Sequence, residues 1–174
     1  MMPDDAGADT LPIAFIATLL IAAAIVGIAA AGIKNASPVM DTGSVDVQAE
    51  ALAADCRALL SCAPRYLDDP GSPAGATKIM ELSLPGSTEY FGLGCDPGGE
   101  SACEGIICYS VAGRKKTVVV DAGVSFRSRG DGTLSSVLEA EHVILRGGRY
   151  ALEIEYACDA EGNRYLLVGE AGYR

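Results

Sequence analysis

LPIAFIATLLIAAAIVGIAAAGI, residues Leu11 to Ile33, runs for 23 residues without a charged side chain. At about 1.5 Å of rise per helical residue the run reaches roughly 34 Å, against a hydrocarbon core of about 30 Å. A helix satisfies all of its backbone groups internally, which is what lipid demands. Thr18 carries its only side-chain hydrogen-bonding group, and that hydroxyl can bond back to a carbonyl one turn earlier. Pro12 falls in the first turn, where the missing N–H costs nothing. A cleaved secretory signal also ends in small residues, as at Ala29, Ala30 and Ala31, but needs a basic n-region and an apolar core of about 7–15 residues. Here the stub of residues 1–10 offers Asp4, Asp5 and Asp9 and neither Lys nor Arg. The run therefore reads as a retained transmembrane helix, residues 11–33.

Orientation follows from two signals of unequal weight. Lys34 alone would place the C-terminal side in the cytoplasm. Against it stand six cysteines in the rest of the chain, an even number in a glycine-rich segment, which reads as a disulfide framework in an oxidising compartment. The cysteines outweigh one lysine, so residues 35–174 are expected outside the cytoplasmic membrane. On the helix itself, Ala23, Gly27 and Ala31 repeat every fourth residue, a small-xxx-small stripe that would let two helices approach closely in lipid.

The first 34 residues hold one of the 13 cations and three of the 23 acids, leaving 12 against 20 beyond, or −8 of the net −10. An acidic domain of that size is a poor partner for nucleic acid. The one basic cluster, Arg114, Lys115 and Lys116, reads as a solvated hairpin end. Trp is absent and Phe scarce, so no aromatic platform for bases or sugars is indicated.

Beyond the anchor, Asn35 to Ser44 contains Pro38 and Gly43 and predicts a break. Helical spacing then resumes with Val45, Ala49, Leu52, Ala53, Cys56, Leu59 and Leu60 on one face, capped by Ser44. Residues 34–63 thus read as a hinge and an amphipathic stalk helix, ended by Pro64. From there the period changes from 3.6 to 2. Strands are predicted at Thr77–Leu84, Glu89–Leu93, Gly105–Ala112, Lys116–Asp121, Val124–Arg127, Glu141–Leu145, Tyr150–Cys158 and Arg164–Gly169, with turns at Gly113-Arg114 and at Asp159–Asn163. Short strands with frequent turns and no βαβ rhythm give an α+β chain: a long N-terminal helix, then an antiparallel β-sandwich-like head over residues 64–174.

Candidate chemistry is sparse. Cys56, Cys62, Cys95, Cys103, Cys108 and Cys158 do not show the paired C-x-x-C spacing of zinc sites, and the chain has one histidine, so no metal is expected and the cysteines are disulfide candidates. Cys95 and Cys103 bracket a glycine-rich loop that a local bridge could close, while Cys56 or Cys62 could tie the stalk to the sheet through Cys108 or Cys158. Six cysteines allow 15 pairings, and spacing does not choose among them. His142 reads as an exposed strand residue, Asp159-Glu161-Asn163 as turn chemistry, and Asp131-Gly132, within Arg129-Gly130-Asp131, as a turn. Asn35-Ala36-Ser37 matches the glycosylation acceptor pattern but is followed by Pro38. No Gly-rich phosphate loop and no G-x-S-x-G elbow is present; no catalytic residue, no cofactor and no enzymatic activity are expected.

A stub containing DDAG, an alanine-rich apolar helix, an amphipathic continuation and a β-rich head together resemble archaeal type IV pilin-like and archaellin-like proteins, in the pattern of the N-terminal 60 or so residues. The resemblance implies apolar helices that bundle into a filament core or rest in the membrane before assembly, with the head outside. The chain departs from the family pattern in having no Lys or Arg ahead of Gly7 and no glutamate five residues after it. Two readings follow: a structural or accessory subunit of a pilin-like cell-surface assembly, whose partners are the lipid bilayer and like subunits, or an anchored binding or adhesion module that never polymerises.

Overall fold

The computed structural model describes residues 10–97 and 102–171. The acidic stub before Thr10, with Gly7, and the tip of the loop at Gly98-Gly99 lie outside the described residues, as does the side chain of Cys103. The chain divides into two compact units, residues 1–40 and 41–174.

One helix, α1, covers Thr10–Leu60 with Pro38 inside it. The break expected at residues 35–44 is absent, and Ser44 lies within the helix rather than capping a new one. An interior proline costs about 3 kcal/mol and an interior glycine about 1. Those penalties are local, whereas the residues on either side are held helical by apolar composition before Pro38 and by burial after Gly43. Thr18 Oγ1 donates to the Phe15 carbonyl at 2.8 Å, as its position in an apolar helix requires. The helix ends where the sequence turns to Ala63-Pro64. Ser61 N donates to the Ala58 carbonyl at 3.2 Å and Cys62 N to that of Leu59 at 2.9 Å, satisfying the last turn.

The second unit is a two-sheet head. Strands β1 (Arg65–Tyr66), β2 (Thr77–Leu84), β3 (Thr88–Cys95), β4 (Ala102–Val111), β5 (Arg114–Val119) and β6 (Val124–Ser128) precede helix α2 (Leu134–Glu139), then β7 (Val143–Leu145), β8 (Gly148–Cys158) and β9 (Arg164–Glu170). One sheet has the order β1-β8-β9-β6 with β2 also paired to β8; the other runs β5-β4-β3-β7. The second sheet is antiparallel, as expected, but the first is mixed, because β1 runs parallel to β8 and β6 parallel to β9. The predicted strands are all present. Two elements carry no sequence signal of their own: β1 is two residues long, and α2 six, started by Thr133, whose hydroxyl accepts from Ser136 N.

Strand alternation sorts each sheet into two faces. Leu152, Ile154 and Tyr156 of β8, Leu166 and Val168 of β9, and Phe91, Leu93, Ile107, Tyr109 and Val118 of the other sheet converge on one core. Val45, Ala49, Leu52, Ala53, Cys56 and Leu59 of α1 join that same core, all at or below 6 % exposure. The C-terminal part of α1 is therefore part of the head and not a stalk beneath it. A smaller cluster on the far side of the first sheet gathers Leu67, Val137, Ala157, Tyr165 and Leu167 under α2. Glu155 is fully buried on that side, where its carboxylate accepts from Gly75 N at 3.0 Å and faces the Arg129 guanidinium at 3.3 Å.

Candidate functional site: the exposed faces of the long helix

Within α1, Ile13–Leu60 is long and, by composition, apolar enough to cross a membrane, and its N-terminal part is the apolar one. Its large side chains are exposed on every side: Ile13, Phe15, Leu19, Ile21, Ile25, Val26, Ile28 and Ile33 stand between 57 and 74 % accessible. Ala23, Gly27 and Ala31 are exposed too, and a Cβ added at Gly27 would meet nothing within 4 Å. A helix that is apolar all round is stable only in an apolar surrounding.

Residues 41–60 behave differently, and within the second unit they have three kinds of face. The core face carries Val45, Ala49, Leu52, Ala53, Cys56 and Leu59. Two polar flanks tie it to the head. On one, the Asp46 carboxylate accepts from Tyr109 Oη at 2.9 Å and pairs with Lys116, while the Arg57 guanidinium donates to the Val120 carbonyl at 3.3 Å and to that of Val119. On the other, Gln48 brackets Ser83, accepting from its N–H at 2.7 Å and donating to its carbonyl at 2.9 Å, and Lys78 pairs with Asp55 at 2.5 Å. Gln48 in effect completes the ladder at the open edge of β2. Burial pushes the Asp46 carboxyl up, but the bonds from Lys116 and Tyr109 outweigh it and hold it below the usual carboxylate range.

The third face points away from the head. At the helical steps of three and four it presents Gly43, Val47, Ala51, Ala54 and Ala58, all exposed, with Val47 71 % accessible. No charge interrupts the row, which is bordered by Glu50 and Ser44. Its spacing was legible in the sequence, but the core face at Val45, Ala49, Leu52 and Cys56 has the larger side chains and masks it.

No disulfide is present among the described residues, which do not include the side chain of Cys103. Cys56, Cys62 and Cys158 are free thiols. Cys56 sits inside the main core, where burial, followed by the neighbouring Asp55, pushes its thiol up to about 12 and makes it inert. It cannot reach Cys108, which lies on the opposite face of β4 from Ile107 and Tyr109. The link between helix and sheet predicted for cysteines is made instead by the Asp46, Arg57, Gln48 and Asp55 contacts. Cys95 and Cys108 are both buried. The basic cluster is likewise more than a solvated turn, because Lys116 holds Asp46 and Lys115 lies 5.8 Å from the Tyr90 ring centroid.

The remaining singled-out residues have local roles. Asp131 accepts from Thr133 N at 2.9 Å and from Ser136 Oγ at 2.5 Å, fastening the start of α2. Asp159 accepts from Glu161 N, Asn163 N and Nδ2, and Tyr165 Oη, closing the β8–β9 turn. His142 is exposed in the coil just before β7. Comparison with family models, curated proteins and solved structures found no match for this chain.

Proposed function

We propose that the chain is a single-pass membrane protein with residues 35–174 extracytoplasmic, working as a structural or accessory subunit of a pilin-like cell-surface assembly in which its long helix packs against those of like subunits. The outward row Gly43, Val47, Ala51, Ala54 and Ala58 carries this reading. A helix that only held a head above a membrane would expose charged residues on its solvent side, since nothing opposes them there. Here the polar groups are spent on the flanks, and small apolar residues occupy the face left over. Contiguous exposed apolar surface marks an interaction site, and small residues let a second helix backbone come close.

The row can be tested without disturbing the head. Ala54→Glu in the full-length protein places a charge on an exposed position of the outward row, so the melting temperature should stay unchanged while detergent-resistant oligomers or filaments are lost. In the anchor, Gly27→Leu should lower the same yield and Ala22→Leu, off the stripe, should do much less. Wild-type assembly by Ala54→Glu, or a chain that is monomeric in the first place, would favour the non-polymerising anchored module. Orientation has its own readout: protease added to intact cells should digest residues 35–174, and protection of the head until lysis would reverse the topology.

A further inference from the structure

The outer face of the β3–β4–β5 sheet brings two cysteines together that are thirteen residues apart in the chain. Cys108 stands opposite Gly92 on one side and Thr117 on the other, with its Sγ 3.6 Å from Thr117 Oγ1. Gly92 has no side chain to fill its half of the rung. The chain instead doubles back at Gly94, φ +74°, and lays Cys95 over it: a Cβ at Gly92 would lie 2.4 Å from the Cys95 carbonyl oxygen and 3.2 Å from its Sγ. Directly opposed positions in an antiparallel pair have Cβ atoms about 4.5–5.5 Å apart, and it is across this rung that the Cys95 sulfur, lying over Gly92, faces Cys108. The next rung fixes the direction of the fold-back. Tyr90, Ser110 and Lys115 lie across it, and Asp96 is drawn over that rung by the Tyr90 hydroxyl at 3.1 Å and Lys115 at 3.7 Å. The chain after Gly94 thus leans toward β4 and β5, which carry Cys108, and not toward β7. Cys95 and Cys108 are 6 and 4 % exposed, although this face is turned away from the main core.

We propose that Cys95 and Cys108 form a disulfide, stapling the folded-back end of β3 onto the outer face of β4. The bond forms by exchange with a disulfide donor. One cysteine thiolate attacks a donor sulfur and expels a thiolate; the second attacks the mixed disulfide and expels the other. Two electrons pass to the donor, and its two leaving thiolates take up the protons that the cysteines gave up. Of the pairings the spacing left open, this one links neither Cys103 nor the helix.

Glutamate-specific cleavage separates the three nearby cysteines onto three peptides, residues 90–100, 101–104 and 105–139. The full-length protein in detergent is reduced, equilibrated with oxidised and reduced glutathione as the donor, alkylated and digested without reductant. The expected product is peptide 90–100 joined to 105–139, with the link retained in Cys103→Ser, and reduction should lower the melting temperature by roughly 10 °C. Linkage of 101–104 to either neighbour, or alkylation of both Cys95 and Cys108, overturns the assignment. Since the donor is supplied in the tube, the result does not depend on the side of the membrane that the head occupies.

Discussion

A fragment comprising residues 61–174 will fail to fold, whereas residues 39–174 will give a cooperatively melting, β-rich monomer. Both contain every strand, so the difference rests on the C-terminal part of α1. Val45, Leu52 and Leu59 are buried to within 6 % in the main core and close it together with Ala49, Ala53 and Cys56. Full burial of a large aliphatic side chain is worth about 1.5–3 kcal/mol, so the three large ones alone contribute roughly 5–9 kcal/mol. A domain of this size is stable by only about 5–15 kcal/mol in total. Removing them also uncovers the apolar inner faces of both sheets, and the shorter fragment should aggregate. Deleting residues 1–38 removes none of these contacts. Circular dichroism and thermal melts of the two fragments decide the matter; a fragment 61–174 that melts within a few degrees of the longer one would mean that the helix merely leans on a self-sufficient head.

Gly105→Ala is the single substitution expected to damage the head most for the atoms it adds. Gly105 has φ +68° in β4, and a Cβ there would sit 1.6 Å from the Asp121 carbonyl oxygen. That separation lies far inside any contact distance, and the obstacle is backbone, which cannot rotate away. The Gly105 carbonyl also accepts from Val120 N at 2.8 Å and Asp121 N at 3.3 Å, so relieving the clash breaks the junction between β4 and the chain leaving β5. The left-handed conformation alone costs a non-glycine residue about 1–2 kcal/mol. With the displaced backbone the loss should reach about 3 kcal/mol or more, a fall of roughly 10 °C in melting temperature. Gly113→Ala is the control: its φ is +77° but a Cβ there meets nothing within 4 Å, so only the conformational part, about 1 kcal/mol, is lost. Equal effects at the two glycines would mean that the contact with Asp121 relaxes freely.

Patterns carried by neighbouring residues were legible in the chain. The apolar run Leu11–Ile33, the 3.6-residue period from Val45 to Leu60, and the alternation in β8 and β9 each reflect one element's own environment, and each lies where it was read. The continuity of α1 through Pro38 and Gly43 was not legible, because local breaker signals are weighed against packing that comes from elsewhere in the chain. Residues 65–66 became a strand only by pairing with Ala157 and Cys158, about ninety positions later. The cysteines show the same division. Their number and spacing raised a framework without choosing partners, and one of them, Cys56, lies on the core face that the helical period itself had marked.

By itself, then, the sequence determined that this chain carries a helix long and apolar enough to cross a membrane and has an α+β build, since periodicity and composition act over a few residues and survive any tertiary arrangement. Only the tertiary structure decided that residues 42–59 belong to the core of the head, that Asp46, Gln48, Asp55 and Arg57 bind them there, and that Gly43, Val47, Ala51, Ala54 and Ala58 are left facing outward. Which face of a helix is buried depends on what packs against it, and those partners are strands far along the chain whose positions no local pattern encodes.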